Sequence, residues 1–127
     1  GIIGDGTAMY TIQSLWTAAN YDIPVTYVIC NNRSYKVLRE NMARYLTGTE
    51  RQSQYIGMDF YNSPLDFVKL AHAFGLKGTR VEQPEDLGRA IHNGITSGKP
   101  NVVDVILDDS FDPHDIQNAW GEWWVKS

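Results

Sequence analysis

The sequence predicts an α/β fold in which helices cover both faces of a mostly parallel sheet, a three-layer sandwich. Apolar, β-branched runs suited to buried strands alternate along the chain with segments of helical periodicity. The 127 residues are enough for one domain with a sizeable core. Apolar residues make up 43% of the chain and charged residues 20%, as in globular proteins.

The first half of the chain predicts two strands and two helices. Gly1–Gly4 fits a strand, and apolar residues at helical spacing predict a helix over Thr7–Ala19. After a break at YDIP, the run VTYVIC predicts a buried strand over Val25–Cys30. A second helix is predicted from Tyr35 to about Arg44, and the polar residues 45–62 predict a loop or mobile segment. The residues expected on the buried face of the first helix are Met9, Ile12, Trp16 and Ala19.

The second half predicts two further helices and two further strands. Ser63 as cap, Pro64 in the first turn and Asp66 three residues after the cap predict a helix start, and Gly75 predicts its end. KGTRVE predicts a short strand, followed by a helix over Pro84–Ser97 and a strand over Asn101–Leu107. The residues expected to face the core from the two helices are Phe67, Leu70, Ala71, Phe74, Leu87, Ala90, Ile91 and Ile95.

The predicted domain spans residues 1–109, and residues 110–127 form a tail with a predicted helix. The tail carries Trp120, Trp123 and Trp124, an aromatic stripe expected to dock on its own domain or a neighbour. A lid over an active site is the alternative role. Because GII is too short for a complete strand and no Met precedes it, we expect residues before Gly1 in the natural protein.

Charge and composition exclude some classes of function. The net charge is −4 with a pI near 5.2, and without a basic run the sequence predicts no nucleic-acid binding. No apolar stretch approaches the roughly 18 residues of a membrane span. The single cysteine, Cys30, cannot form an internal disulfide, which agrees with a cytoplasmic location.

Two short motifs, GDG at Gly4–Gly6 and NN at Asn31–Asn32, follow the first two predicted strands. The carboxyl ends of neighbouring parallel strands meet at one sheet edge, about 4.8 Å apart, so Asp5 and Asn32 are expected to converge there. A carboxylate and an amide oxygen suit Mg²⁺ or Ca²⁺ rather than zinc or copper. Each motif alone is weak, since turns and helix caps contain both sequences often.

The start of the first helix favours a phosphate at the same edge. Free backbone N–H groups at a helix start attract anions, Gly6 allows close approach of the backbone, and the Thr7 hydroxyl can donate a further hydrogen bond. A divalent cation between Asp5 and the phosphate would reconcile their like charges.

GDG followed about two dozen residues later by NN is similar to the signature of thiamine diphosphate-dependent enzymes. The stretch GDGTAMYTIQSLWTAANYDIPVTYVICNNRSY resembles their C-terminal cofactor-binding domain, as do the later DFVKLAHAFGLKG and PNVVDVILD. The helix, the YDIP break and NNRSYKVLR look most like benzoylformate decarboxylase and its relatives. The resemblance covers residues 1 to about 109 and excludes the tryptophan-rich tail.

The resemblance implies thiamine diphosphate and Mg²⁺ as cofactors and assigns roles to matching positions. The metal ligands would be the side chains of Asp5 and Asn32 and the backbone carbonyl of Ser34. The residues at the diphosphate would be Asp5, Gly6, Thr7, Asn32, Ser34 and Tyr35. Val37 and Leu38 would lie near the thiazolium ring and substrate, although apolar residues there could instead belong to the helix core.

The resemblance also implies a 2-oxo acid decarboxylase in which this chain supplies only part of the active site. The glutamate that activates the cofactor would come from another domain on a second subunit of a homodimer or homotetramer. No glutamate of this chain matches that role, so no catalytic residue is assigned and the chain alone is expected to be inactive. The expected partners are the remaining domains, that second subunit and a small 2-oxo acid, with no nucleic acid or membrane.

Two positions depart from the family pattern, Arg33 and Lys36, where relatives often have glycine. If position 33 needs a positive φ, arginine costs on the order of 1 kcal/mol there. Arg33, Lys36 and Arg39 could form a cationic rim that favours an anionic substrate, or they could be solvated helix charges.

Other functions remain alternatives. An acetolactate synthase-like carboligase or a 2-hydroxyacyl-CoA lyase would use the same cofactor, whereas a non-catalytic phosphate- or nucleotide-binding module would not. A receiver-like signalling domain is disfavoured because it needs an acidic cluster. His72, His92 and His114 lack metal-like spacing, and Cys30 is expected to pack rather than to react.

Overall fold

The computed structural model describes residues 1–46 and 55–110. In these ranges the elements are, in chain order, β1 (Ile2–Gly4), α1 (Asp5–Tyr10), α2 (Ser14–Asn20), β2 (Thr26–Asn31), α3 (Lys36–Leu46), α4 (Phe67–Ala73), β3 (Lys77–Val81), α5 (Pro84–Thr96) and β4 (Asn101–Ile106). The four strands form one sheet in the order β1-β2-β4-β3, and every neighbouring pair is parallel. The predicted α/β sandwich with a parallel sheet is confirmed.

Two apolar clusters lie on opposite faces of the sheet. Helices α1, α2 and α4 cover one cluster, which consists of Ala8, Leu15, Ile29, Phe67, Ala71, Leu76 and Val102. Helix α5 covers the other, where Leu87, Ala90 and Ile91 pack on Val28, Val81, Val103 and Val105. Successive residues of β4 alternate between the two clusters because strand side chains alternate between faces.

The first helix was predicted as continuous, but the structure has two helices in its place. The helical conformation ends at Tyr10, and α2 begins only at Ser14, after a turn over residues 11–13. Leu15 and Ala18 are buried while Trp16 is 54% exposed. The packed face centres on Ala8, Ile12, Leu15 and Ala19, and Trp16 lies at the edge of that face. The predicted burial of Trp16 is therefore wrong.

Two details of the later helices also differ from the predictions. Helix α4 begins at Phe67, and its N-cap is Asp66, whose carboxylate accepts a hydrogen bond from the Lys69 N–H at 2.9 Å. Ser63 is thus not the cap. In α5, Ile95 lies at the solvent-facing end and is 66% exposed, contrary to its predicted place in the core.

The polar segment predicted as a loop is only partly described. Helix α3 extends to Leu46, residues 47–54 lie outside the described residues, and residues 55–62 carry one antiparallel bridge, Asp59 to Ser34. The predicted C-terminal tail helix, with its three tryptophans, falls in residues 111–127, also outside the described residues. Among the helices that the structure describes, none has the length and hydropathy of a bilayer-spanning segment.

Candidate functional site

A cavity of about 340 Å³ lies beyond the carboxyl ends of β1 and β2. The strands pair with Gly4 beside Cys30, so the GDG and NN motifs leave the sheet side by side. All eight predicted site residues line this cavity, together with three residues that were not assigned to the site: Gly4, Tyr10 and Lys36. The expected convergence of Asp5 and Asn32 at one sheet edge is therefore confirmed.

Asp5 is a buried carboxylate with one oxygen lacking a partner. Its side chain is only 2% exposed, and Oδ1 accepts a hydrogen bond from the Gly6 N–H at 2.8 Å. Oδ2 is buried and has no hydrogen-bond partner among the described residues. Burial raises the pKa of Asp5 above 3.8, and backbone N–H groups of Gly6 and of residues 32–34 act in the opposite direction. A cation at Oδ2 would offset the cost of this buried charge.

Asn32, Arg33 and Ser34 form a tight turn whose backbone N–H groups lie beside the Asp5 carboxylate. Oδ1 of Asn32 accepts hydrogen bonds from the Ser34 N–H at 3.1 Å and from the Ser34 hydroxyl at 3.3 Å. Arg33 lies between them and has φ of +58°. The positive φ under which arginine was expected to be strained at this position is therefore observed. The turn fixes the direction of the Asn32 amide before any ligand binds.

A neighbouring segment holds this turn in place. The Tyr35 N–H donates to the Met58 carbonyl and the Phe60 N–H donates to the Arg33 carbonyl, both at 2.9 Å. This contact was not predicted from the sequence because the segment follows a long polar stretch. The signal in the sequence that could have indicated packing of this segment is its apolar and aromatic residues, Tyr55, Met58 and Phe60.

The Tyr35 ring lies directly against Gly6. A Cβ atom at Gly6 would fall 2.4 Å from Cε1 of Tyr35, so this close approach requires glycine. The ring also meets Phe60 edge-on with centroids 5.0 Å apart and lies 6.3 Å from the ring of Tyr10. Burial and the adjacent Tyr10 raise the pKa of Tyr35 above 10.0, so its hydroxyl is a neutral hydrogen-bond donor near pH 7.

Helix α3 presents apolar side chains to the mouth of the cavity. Val37 is 66% and Leu38 is 46% exposed, and α3 has no buried residue, so these two do not belong to the core of the described chain. Of the three residues of the possible cationic rim, only Lys36 lines the cavity. Arg33 pairs with Asp109 at 2.6 Å, and the Arg39 guanidinium lies 5.2 Å from the Tyr55 ring centroid.

Residues 1–105 match the family model described as "Thiamine pyrophosphate enzyme, C-terminal TPP binding domain". The chain belongs to the thiamine pyrophosphate enzyme family. The match covers both motifs and all of the sheet except Ile106, the last residue of β4. Thiamine diphosphate, another name for thiamine pyrophosphate, is the cofactor of this domain.

Individual relatives in this family differ in their named reactions. A solved structure of a thiamine diphosphate-dependent 4-hydroxybenzoylformate decarboxylase from Rhodococcus jostii RHA1 is 37% identical over 89% of this chain and 20% of that one, with a TM-score of 0.73. Benzoylformate decarboxylase of Pseudomonas aeruginosa is 31% identical over 83% of this chain and 19% of the relative. Acetolactate synthase isozyme 3 large subunit of Escherichia coli is 30% identical over 98% of this chain and 22% of the relative. The chain thus spans about a fifth of the length of these relatives.

The residues of this thiamine diphosphate-binding domain fit the cofactor and its usual partner metal, Mg²⁺. The unpartnered Oδ2 of Asp5 and the oxygen atoms of Asn32 and Ser34 are hard donors of the kind that Mg²⁺ prefers. Helix α1 has only six residues, so its dipole offers less to a diphosphate than the predicted longer helix would. The exposed Thr7 remains available at the cavity.

His72, His92 and Cys30 do not line this cavity. His72 and His92 are exposed on α4 and α5, Cys30 is half-buried in β2, and His114 lies outside the described residues. Within the described ranges, no cluster of three or more His, Cys, Asp or Glu is placed to hold a metal ion.

Proposed function

We propose that Asp5, Asn32 and the backbone carbonyl of Ser34 bind Mg²⁺, which in turn holds the diphosphate of the cofactor. The observation that carries this proposal is the buried Asp5 Oδ2, which has no partner among the described residues and lies in the cavity that Asn32 and Ser34 also line. A buried carboxylate oxygen without a partner is costly in a folded protein. Binding of a divalent cation would remove that cost. Asn32 Oδ1 would keep the hydrogen bond from the Ser34 N–H and exchange the one from the Ser34 hydroxyl for the cation.

The other cavity residues have roles at the diphosphate. Gly6 and Thr7 follow Asp5 directly, and the neutral Tyr35 hydroxyl is available to donate to a phosphate oxygen. Lys36 adds a positive charge at the same cavity, which favours the diphosphate or an anionic substrate. Val37 and Leu38 supply an exposed apolar surface for the thiazolium ring and the substrate.

The proposed reaction is decarboxylation of a 2-oxo acid. When bound, thiamine diphosphate supplies an electron sink for the electrons released as CO₂ leaves. The activating glutamate of the proposed reaction is expected on another domain, contributed by a second subunit of a homodimer or homotetramer. The lone Cys30 agrees with a cytoplasmic protein.

Benzoylformate decarboxylase-like activity is preferred to carboligation because the solved relative at 37% identity is a decarboxylase of that type. Acetolactate synthase-like carboligation is the second candidate, supported by the Escherichia coli relative that aligns with nearly the whole chain. Product analysis on the full-length enzyme separates the two. Benzoylformate converted to benzaldehyde and CO₂ supports the first, and pyruvate converted to acetolactate supports the second.

The cofactor anchor is tested by calorimetry on the full-length enzyme with thiamine diphosphate, with and without Mg²⁺. We expect Mg²⁺-dependent binding that is lost in Asp5→Ala and kept in Asp86→Ala, a matched control on α5 outside the cavity. Binding that is indifferent to Asp5→Ala would refute the proposed metal site.

A further inference from the structure

A buried polar cluster lies directly behind the site loop. Asp104, in the middle of β4, is fully buried, and Asn31, the last residue of β2, is 2% exposed. Asp104 Oδ1 accepts a hydrogen bond from Asn31 Nδ2 at 3.0 Å. Its Oδ2 accepts from Arg80 Nε at 3.3 Å and Nη2 at 3.1 Å, and Arg80 also pairs with Asp66 at 3.0 Å. The strands β2, β4 and β3 and the start of α4 are thereby joined.

This cluster fixes the orientation of the Asn31 amide. A carboxylate only accepts hydrogen bonds, so Asp104 requires the NH₂ group of Asn31 to face it. That NH₂ group also lies 3.4 Å from the Leu65 carbonyl. The opposite end of the amide, Oδ1, must then face the site loop, where it accepts from the Arg33 N–H at 3.3 Å.

The Arg33 N–H is a sensitive point in the site. Arg33 has φ of +58°, a conformation that a non-glycine residue adopts only when its surroundings require it. The residues on either side, Asn32 and Ser34, are the proposed metal ligands. A hydrogen bond to the Arg33 N–H therefore helps to set the direction in which both ligands point.

We propose that Asn31 and Asp104 are positioning residues: Asp104 orients the Asn31 amide, and Asn31 holds the turn at residues 32–34 in its metal-binding conformation. Neither residue lines the cavity, so neither is proposed as a ligand. This inference rests on the proposed function, because it concerns the affinity of the same metal and diphosphate site. Outer partners of metal ligands commonly contribute roughly 10- to 100-fold to metal affinity.

Exchange of the two residues provides the test. Asn31→Asp places two carboxylates together and removes the NH₂ donor. The double variant Asn31→Asp with Asp104→Asn again pairs one donor with one acceptor, but the amide at position 104 then donates to the carboxylate at position 31. In the double variant, the carboxylate at position 31 could accept from both the amide at position 104 and the Arg33 N–H, so the turn would regain its hydrogen bond.

The measurements use the full-length enzyme and are corrected for the folded fraction. Calorimetry gives the Mg²⁺-dependent affinity for thiamine diphosphate, and amide hydrogen exchange at Arg33 reports on the turn without any cofactor. We expect Asn31→Asp to weaken binding roughly 10- to 100-fold and to speed exchange at Arg33. The double variant should recover most of both losses. If Asn31→Asp does not fold, Asn31→Ser takes its place, because it removes the amide contacts with Asp104, Leu65 and Arg33 without adding charge.

Asn101→Asp is the matched control. Asn101 is 5% exposed at the opposite end of β4, and its Nδ2 donates to Thr26, Gly94 and Lys99. Its substitution should lower stability and leave folded-state affinity unchanged. The inference is overturned if Asn31→Asp lowers stability as Asn101→Asp does but leaves affinity and Arg33 exchange unchanged, or if the double variant recovers neither. If Asp5→Ala leaves binding intact, the proposed metal site fails instead.

Discussion

Arg33 offers a direct test of backbone strain at the site. Its φ of +58° lies in the left-handed region, which costs a residue with a Cβ atom roughly 1–2 kcal/mol. Glycine avoids this cost but gains freedom in the unfolded chain, which offsets about 0.4–1 kcal/mol. Arg33→Gly should therefore be more stable than Arg33→Ala by roughly 0.5–1 kcal/mol.

The comparison of the two variants cancels the side-chain contribution. Both remove the ion pair with Asp109, whose partners are 38% and 32% exposed and which contributes at most about 1 kcal/mol. Arg89 on α5 is the matched control, since it is also an arginine paired with an aspartate, Asp86, but within a helix. There the order should reverse, with Arg89→Ala more stable than Arg89→Gly by roughly 1 kcal/mol.

Urea unfolding of the four variants measures both differences, and thermal unfolding should show the change at position 33 as a shift of about 2–4 °C. If Arg33→Ala equals or exceeds Arg33→Gly in stability while the Arg89 pair shows the usual helical order, the strain argument is wrong. In that case the turn would not constrain the backbone as its geometry indicates.

Two further predictions concern packing and capping. Gly6→Ala should lower the free energy of unfolding by roughly 1–3 kcal/mol, because its Cβ overlaps the Tyr35 ring. In a double-mutant cycle measured by denaturant unfolding, Tyr35→Ala should remove most of that cost. Additive costs of the two substitutions would contradict the overlap. Asp66→Ala should cost about 1–2 kcal/mol through the lost cap of α4, with Asp66→Asn retaining part of it. The hydrogen bond from the Lys69 N–H holds the pKa of Asp66 below 3.8, so its extra stabilisation is complete above the ordinary aspartate range. This stabilisation disappears as pH falls through the lowered pKa of Asp66. The melting temperatures of wild type and Asp66→Asn should therefore become equal only at that low pH. Equal melting temperatures at a higher pH would contradict the prediction.

The sequence predicted the sheet and the cavity well because both depend on short-range patterns. The apolar, β-branched runs VTYVIC and NVVDVIL are typical of buried strands. Once β1 and β2 pair in parallel, the GDG and NN motifs that follow them lie side by side. Strain at Arg33 was expected only if that position needed a positive φ, and its φ is +58°. Roles of the site residues as ligands remain predictions.

Other features depend on contacts that no local pattern contains. The face of the first helical segments that packs on the sheet centres on Ala8 and Leu15, next to the predicted face, so Trp16 lies outside. Ser63 and Asp66 are both good caps, and the nearby Arg80 pairs with Asp66, which periodicity could not indicate. Likewise, no role was predicted for Asp104, because its partner, Asn31, lies 73 residues earlier in the chain.

The strand order has a consequence for the way the site is completed during synthesis. Strand β4 is the last strand along the described chain, yet it lies between β2 and β3 in the sheet. Until the ribosome has released it, β2 has no neighbour on that side, and Asn31 lacks the carboxylate that orients it. Asn32, beside Asn31, therefore depends on a strand that follows it by about 70 residues, a long-range closure of the kind that slows folding. If Asp5 and Asn32 bind the metal as proposed, cofactor binding would follow insertion of β4.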